Sequence, residues 1–368
     1  MEDVSKVYFS DLRTNAKSNL LDKLRKLIIQ AQIDRINFDK KFVAIKIHFG
    51  EPGNLAFIRP NFVKVLAEYI KSKGGIPFLT DSNTLYKGRR SNGIDHLRSA
   101  LENGFGYCVT GCDVVIADGV KGTDVAEISI DLKHIKNARI GKAIADADIV
   151  ISLNHFKGHE MACFGGCLKN LGMGCASVGG KLEMHSDSKP RIAEENCTSC
   201  KVCVNNCAHD AIHLNESRLA FIDYNKCTGC GQCIAVCQYD AAVVQWNAKS
   251  MQEKVAEYAM AATKDKPCFH INFVMDVSPN CDCWGNNDAA IIPNIGMFAS
   301  FDPVALDRAC VDAAHKAPVL KHSVIGESCM PDQDRFIAAH PGTDWKLSLD
   351  YAEKIGLGSQ KYELISCK

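Results

Sequence analysis

The sequence predicts an α/β protein: one or more largely parallel sheets flanked by helices, with a small α+β unit inserted. Three observations predict it. Apolar β-rich segments alternate with segments whose apolar residues recur at helical spacing, the strand–helix–strand order that makes neighbouring strands parallel. Two cysteine runs interrupt this alternation beyond the middle of the chain, and it resumes after them. Neither junction carries a low-complexity linker, so the insert is expected to pack against the body. The expected boundaries are 1–190 and 246–368 for the two parts of the body and 191–245 for the insert.

The elements follow in order. Val7–Ser10 reads as a short strand, and Asn19–Gln32 as a helix with Leu20, Leu24, Leu27, Ile28 and Ala31 on one face. Lys41–Phe49 is a core strand. Pro60 opens a helix with a stripe of Phe62, Val63, Leu66, Tyr69 and Ile70, and Gly74-Gly75 stops it. Ile76–Thr80 is the next strand. Gly93–Asn103 is helical, Cys112–Asp118 a strand, Lys142–Asp148 a short helix and Ile149–Leu153 a buried strand. Asn154–Lys181 reads as a long loop. After the insert come a helix over Lys249–Thr263, a strand over Phe269–Asp276 and an irregular stretch from Asn280 to Asn294. A strand over Ile295–Ser300 and a helix from Asp302-Pro303 to Lys316 follow. Two more helices, near Asp334–Ala339 and Trp345–Ile355, precede a last strand at Tyr362–Ser366.

The insert carries the most specific signal. Cys197-x2-Cys200-x2-Cys203-x3-Cys207 recurs thirty positions later as Cys227-x2-Cys230-x2-Cys233-x3-Cys237. Three cysteines at two-residue gaps curl around one corner of a cubane, and the fourth reaches the other cluster. The spacing therefore assigns Cys197, Cys200, Cys203 and Cys237 to one [4Fe–4S] cluster. Cys227, Cys230, Cys233 and Cys207 go to a second. Structural zinc prefers two separated pairs of ligands, which these triplets do not offer. Gly229 and Gly231 let backbone approach the sulfurs closely. Ala211–Leu214 and Leu219–Asp223 read as a hairpin, with Arg191–Ala193 and Ala242–Gln245 as an outer pair. The unit resembles the bacterial two-cluster ferredoxin fold, except that Ala208 and Gln238 stand where Pro often follows the fourth cysteine.

The 368 residues balance 43 acidic against 43 basic side chains, which gives no excess charge to draw nucleic acid or an anionic membrane. No apolar run is long enough to span a membrane, and the acidic start is no signal peptide. Of 19 cysteines, eight belong to the runs, and the remaining thiols suit a reducing cytoplasm. Two low-potential clusters suggest an anaerobe or a protected compartment. No G-x-G-x-x-G supports NAD or flavin.

The body carries a second resemblance. Asn154-His-Phe-Lys157-Gly-His159-Glu with Phe164-Gly-Gly-Cys167-Leu-Lys169-Asn170-Leu-Gly-Met-Gly174 is similar to a signature of the DUF362 family. So is Asp276-Val-Ser-Pro-Asn-Cys281-Asp-Cys283 with Pro293-Asn-Ile-Gly296 and Asp302-Pro303-Val-Ala-Leu-Asp307. The resemblance covers nearly the whole chain. It implies an iron–sulfur protein of redox role and names no substrate.

In open α/β sheets ligands lie beyond the carboxyl ends of the strands. The polar loops there hold His48, Glu51, Asp81, His155, Lys157, His159, Lys169, Asp276, Cys281 and Cys283, a set suited to an anion or a metal. Each also has a plainer reading. His48 fits a satisfied core residue, Lys157 and Lys169 fit caps of strand or helix ends, and Cys163, Cys167 and Cys175 fit small buried hydrophobes. The glycines at 165, 166, 172 and 174 point to close backbone approach, with an anion the simplest partner.

The preferred reading is a redox enzyme in which clusters exchange electrons with a small molecule in this pocket. Lys157 and Lys169 would steady negative charge, His159 would donate a proton, and a redox partner protein would dock at the outer cluster. The alternative is a ferredoxin-type carrier whose body is a docking platform. A bare ferredoxin needs only about 60 residues, which leaves most of this chain unexplained under that alternative.

Overall fold

The computed structural model describes residues 4–85, 88–186, 190–207, 209–227, 232–239, 241–244, 250–326, 328–330 and 332–367. Its centre is an eight-stranded sheet. The strands are β1 (Ser5–Asp11), β2 (Phe42–Lys46), β3 (Ile76–Asp81), β4 (Asp113–Ile116), β5 (Ile149–His155), β6 (Cys268–Val274), β7 (Gly296–Ser300) and β8 (Tyr362–Ser366). Their spatial order is β8-β1-β7-β6-β5-β2-β3-β4. Every neighbouring pair is parallel except those of β7, which runs against both β1 and β6.

Helices cover both faces, so the central strands read as continuous apolar runs. On one face lie α1 (Leu20–Gln30) and α2 (Pro60–Ser72), which pack with Val43, Ile45, Ile149, Ile151 and Leu153. Asn19 starts α1 through a capping box with Asp22, and Pro60 starts α2 at a position where no N–H is needed. The opposite face carries α3 (Cys167–Cys175), α4 (Val178–Ser186), α5 (Met251–Thr263) and α6 (Pro303–Lys316), with Asp302 as the N-cap of α6.

Three sequence expectations change. The stretch 154–181 is not a long loop: it forms a short hairpin, Lys157–His159 against Cys163–Gly165, then α3 and the start of α4. Its glycines disguised the helix because glycine is a poor helix former. They are there for packing. A Cβ at Gly172 would lie 2.1 Å from the Val255 carbonyl of α5, and one at Gly166 would lie 2.3 Å from Asp307. Val125–Ser129 and Asn137–Gly141 form an antiparallel hairpin that the sequence did not reveal. His48 lies past the end of β2, not within it.

The cysteine-rich stretch makes two small antiparallel pairs, Pro190–Ile192 with Ala242–Val244 and Ile212–Leu214 with Ala220–Ile222. It has a core of its own. Ile212, Ala220, Ile222 and Ala242 pack with Cys197, Cys203, Cys207, Cys227, Cys233 and Cys237. Cys230, Gly229, Gly231 and Lys249 lie outside the described residues.

Candidate functional site

The chain runs from β2 outward to β3 and β4, then returns to β5 on the other side of β2. That reversal opens a crevice beyond the carboxyl ends of β2 and β5. A cleft of about 530 Å³, partly open to solvent, lies there. His48, Asp81, His155, Lys157, Lys169 and Cys283 line it together with Arg90 and Lys181.

Its floor is a charged layer that the sequence did not reveal. Lys46 ends β2 fully buried, 2.9 Å from Asp81 at the end of β3, and donates to Asn170 Oδ1 at 2.6 Å. Burial works against the Asp81 carboxylate, but Lys46 and His96 outweigh it and hold its pKa well below the usual range. Arg90 bonds Glu51 at 2.8 Å and lies 3.0 Å from His48 Nε2, while Gly50 N–H donates to His48 Nδ1. Burial and the Arg90 charge push His48 well down, so it is neutral near pH 7. Lys181 donates to the Ala176 carbonyl at 2.5 Å, and burial lowers it to about 8, against the pull of Asp118.

The β6 side is organised by Asp282. Burial would raise this carboxyl, but its contacts with His155 and Lys157 hold it far down. His155 places Nδ1 2.8 Å from Asp282 Oδ2 and Nε2 2.8 Å from the Met275 carbonyl. Both partners are acceptors, so the ring is locked and has no nitrogen left for substrate. Lys157 lies 3.5 Å from Asp282.

Beside it the Lys169 ammonium stands 3.1 Å from Cys281 Sγ. His159 Nδ1 accepts N–H bonds from Met161 and Ala162, which leaves its Nε2–H for the same sulfur. Burial pushes the Cys281 thiol up, but Cys283, Lys169 and His159 outweigh it and hold it well below its ordinary value. Helix α3, which carries Lys169 and Asn170, is fixed by Asp307: its carboxylate accepts from Cys167 N–H at 2.7 Å, Leu168 N–H at 2.9 Å and Asn272 Nδ2 at 2.8 Å.

Asp276 is not part of the cleft; it pairs with Arg59 at 3.1 Å on the surface. Cys163, Cys167 and Cys175 are buried in the apolar core, as their plainer reading held. Of the residues the sequence reading missed, Lys46 left a signal, as a lysine inside the apolar run Phe42–Ile47. Asp282 stands between the two cysteines of the Cys281-Asp-Cys283 motif, and Arg90 left no signal, because its burial depends on distant partners.

The cysteine-rich unit touches the cleft wall. Ile234 packs against Leu85, Val178 and Leu182, the last two on the α4 helix that also carries Lys181. Lys121 donates to Asn206 Oδ1 at 3.2 Å. Inside the unit the backbone N–H groups of Ala211, Ala220 and Ala241 donate to the sulfurs of Cys207, Cys197 and Cys237 at 3.3–3.4 Å. Among the described residues, no three His, Cys, Asp or Glu side chains gather as they would around a metal ion. Among the described residues, too, no helix is long and apolar enough to cross a membrane.

Known proteins share parts of this chain. Over 132 residues it is 31% identical to a thylakoid-associated protein of Synechocystis sp.. That match covers 36% of this chain and 36% of the relative, so the chain spans about a third of that protein's length. Among solved structures, the lactate racemase apoprotein of Thermoanaerobacterium thermosaccharolyticum is similar at 14% identity and a TM-score of 0.35, over 74% of this chain and 51% of the other. A structural-genomics target from Thermotoga maritima is similar at 10% identity and a TM-score of 0.43, over 82% and 60%. The profile described as a domain of unknown function, DUF362, matches residues 43–312, from β2 into α6. On that match the chain belongs to the DUF362 family.

Proposed function

We propose that this protein is an iron–sulfur redox protein that holds two [4Fe–4S] clusters and exchanges electrons with a small molecule in the cleft. The observation that carries the reading is the doubled C-x2-C-x2-C-x3-C run, joined to the packing of Cys197, Cys203, Cys207, Cys227, Cys233 and Cys237 around one small core. Cys197, Cys200, Cys203 and Cys237 would hold one cluster. Burial raises the Cys203 thiol, and the neighbouring Cys237, Cys200 and Cys197 add to it. Cys227, Cys230, Cys233 and Cys207 would hold the other. The N–H bonds to Cys207 and Cys237 recur at equivalent places in the two runs and suit sulfurs that carry negative charge. When bound, each cluster supplies or accepts one electron.

The contacts of Ile234 and Asn206 with the body flank Cys233 and Cys207, so the second cluster faces the cleft in this reading. Cys200 is exposed, and a redox partner protein would dock on its side. Within the cleft Lys157 and Lys169 steady negative charge, and behind its lining His159 serves the Cys281 sulfur. The 19 cysteines favour a reducing, cytoplasmic setting. The closed charge layer around an open cleft favours a substrate site over a docking platform.

Low-temperature EPR of the dithionite-reduced protein and of Cys207→Ala tests the assignment. Wild type is expected to show two interacting reduced clusters. The variant should lose the cluster held mainly by Cys227, Cys230 and Cys233 and keep the other. Loss of the first cluster in Cys207→Ala would overturn the ligand assignment, and two silent samples would overturn the function.

A further inference from the structure

The turn after β6 sets two thiols against each other. Trp284 N–H closes it onto the Cys281 carbonyl at 3.2 Å, which bends the chain and draws residues i and i+2 together. Cys283 N–H donates to Cys281 Sγ at 3.4 Å, which sets the two cysteines side by side. Lys169 Nζ lies 3.1 Å from the same sulfur, and His159 neighbours it. Cys281 is fully buried, whereas Cys283 lines the cleft. One sulfur thus lies against a cation, and its neighbour opens onto the cleft. Thiol–disulfide exchange needs both, because a stabilised thiolate is also a good leaving group.

We propose that Cys281 and Cys283 are a redox-active pair that reduces a small, negatively charged disulfide in the cleft, with Lys157 and Lys169 as its anion partners. The proposal rests on the iron–sulfur reading for its electrons. Cys283 attacks one sulfur of the substrate and passes its proton to Cys281. The substrate S–S bond breaks, a thiolate leaves, and a mixed disulfide stays on Cys283. The departing thiolate takes the proton back from Cys281. Cys281 then attacks the Cys283 sulfur, forms the internal disulfide and expels the second substrate thiolate. Per turn, one disulfide, one thiol and one thiolate give the internal disulfide, one product thiol and one product thiolate. Two electrons, one from each reduced cluster, and one proton restore the Cys281 thiolate and the Cys283 thiol. Two one-electron carriers match one two-electron disulfide.

The test uses the anaerobic holoprotein with oxidised glutathione as the probe. After equilibration in oxidised dithiothreitol, coulometric reduction should consume about four electrons per chain in wild type and about two in Cys283→Ser. Cys281→Ser should accumulate glutathione on Cys283, read by mass spectrometry. Lys169→Ala should move the pH profile of Cys281 alkylation upward by about one unit or more. A pair that merely packs would move none of these. Uptake of only about two electrons by wild type, with full acid-labile sulfide and no internal disulfide, overturns the pair and leaves the cluster reading intact. A sample without labile sulfide overturns the cluster reading; mass spectrometry of its dithiothreitol equilibrium still decides the pair, for it if the internal disulfide forms reversibly and against it if both thiols persist.

Discussion

Lys46 and Asp81, the last residues of adjacent parallel strands, form an ion pair 2.9 Å long with no solvent on the lysine. Two charges this deep stabilise the fold only because each answers the other and Asn170 completes the lysine's bonding.

Removing one partner therefore strands the other. Lys46→Met is expected to cost about 3–5 kcal/mol in chemical denaturation. The acid dependence follows from the depressed Asp81 carboxyl. Its contribution is full above the unfolded value of about 4 and is lost as pH falls towards the much lower folded value. The variant should lose most of that dependence. A loss under about 1 kcal/mol would show that water reaches the pair.

Gly172 tests the packing of α3. In an exposed helix alanine is better than glycine by about 1 kcal/mol. Here the added Cβ would meet the Val255 carbonyl at 2.1 Å, so overpacking should win. Gly172→Ala is expected to lose about 1–3 kcal/mol, read as a lower Tm. A raised Tm would mean that α3 and α5 can move apart.

Asp307 behaves oppositely to Asp81. Burial pushes it up to about 6, against the N–H bonds from Leu168, Asn272 and Cys167. The folded state then holds a proton that the unfolded chain has released. The contribution of this group to stability is full below about pH 4 and declines as pH rises to about 6. Wild type should lose stability relative to Asp307→Asn over that range, measured by denaturation at both ends. A difference independent of pH would place the folded pKa at the ordinary value.

The element order was legible because strand and helix periods are local, and the fold class holds apart from antiparallel β7. The doubled cysteine spacing was legible for the same reason: it is written along the chain. Helix α3 was not, because Gly172 and Gly174 look like loop residues until Val255 and Lys46 are brought against them. His48, Asp81, His155, Lys157, Lys169 and Cys283, which the sequence places near the carboxyl ends of strands, line one cleft. Asp276 follows a strand too, but its backbone takes a left-handed turn and its side chain leaves for Arg59. His155 lost its expected freedom to Asp282, a contact across more than a hundred residues.

Whether the doubled cysteine run holds two clusters is read most directly from the iron and acid-labile sulfide of protein purified without oxygen. The account predicts about eight iron and about eight sulfide per chain, with absorbance that dithionite bleaches. Two zinc ions per chain and no labile sulfide would contradict it.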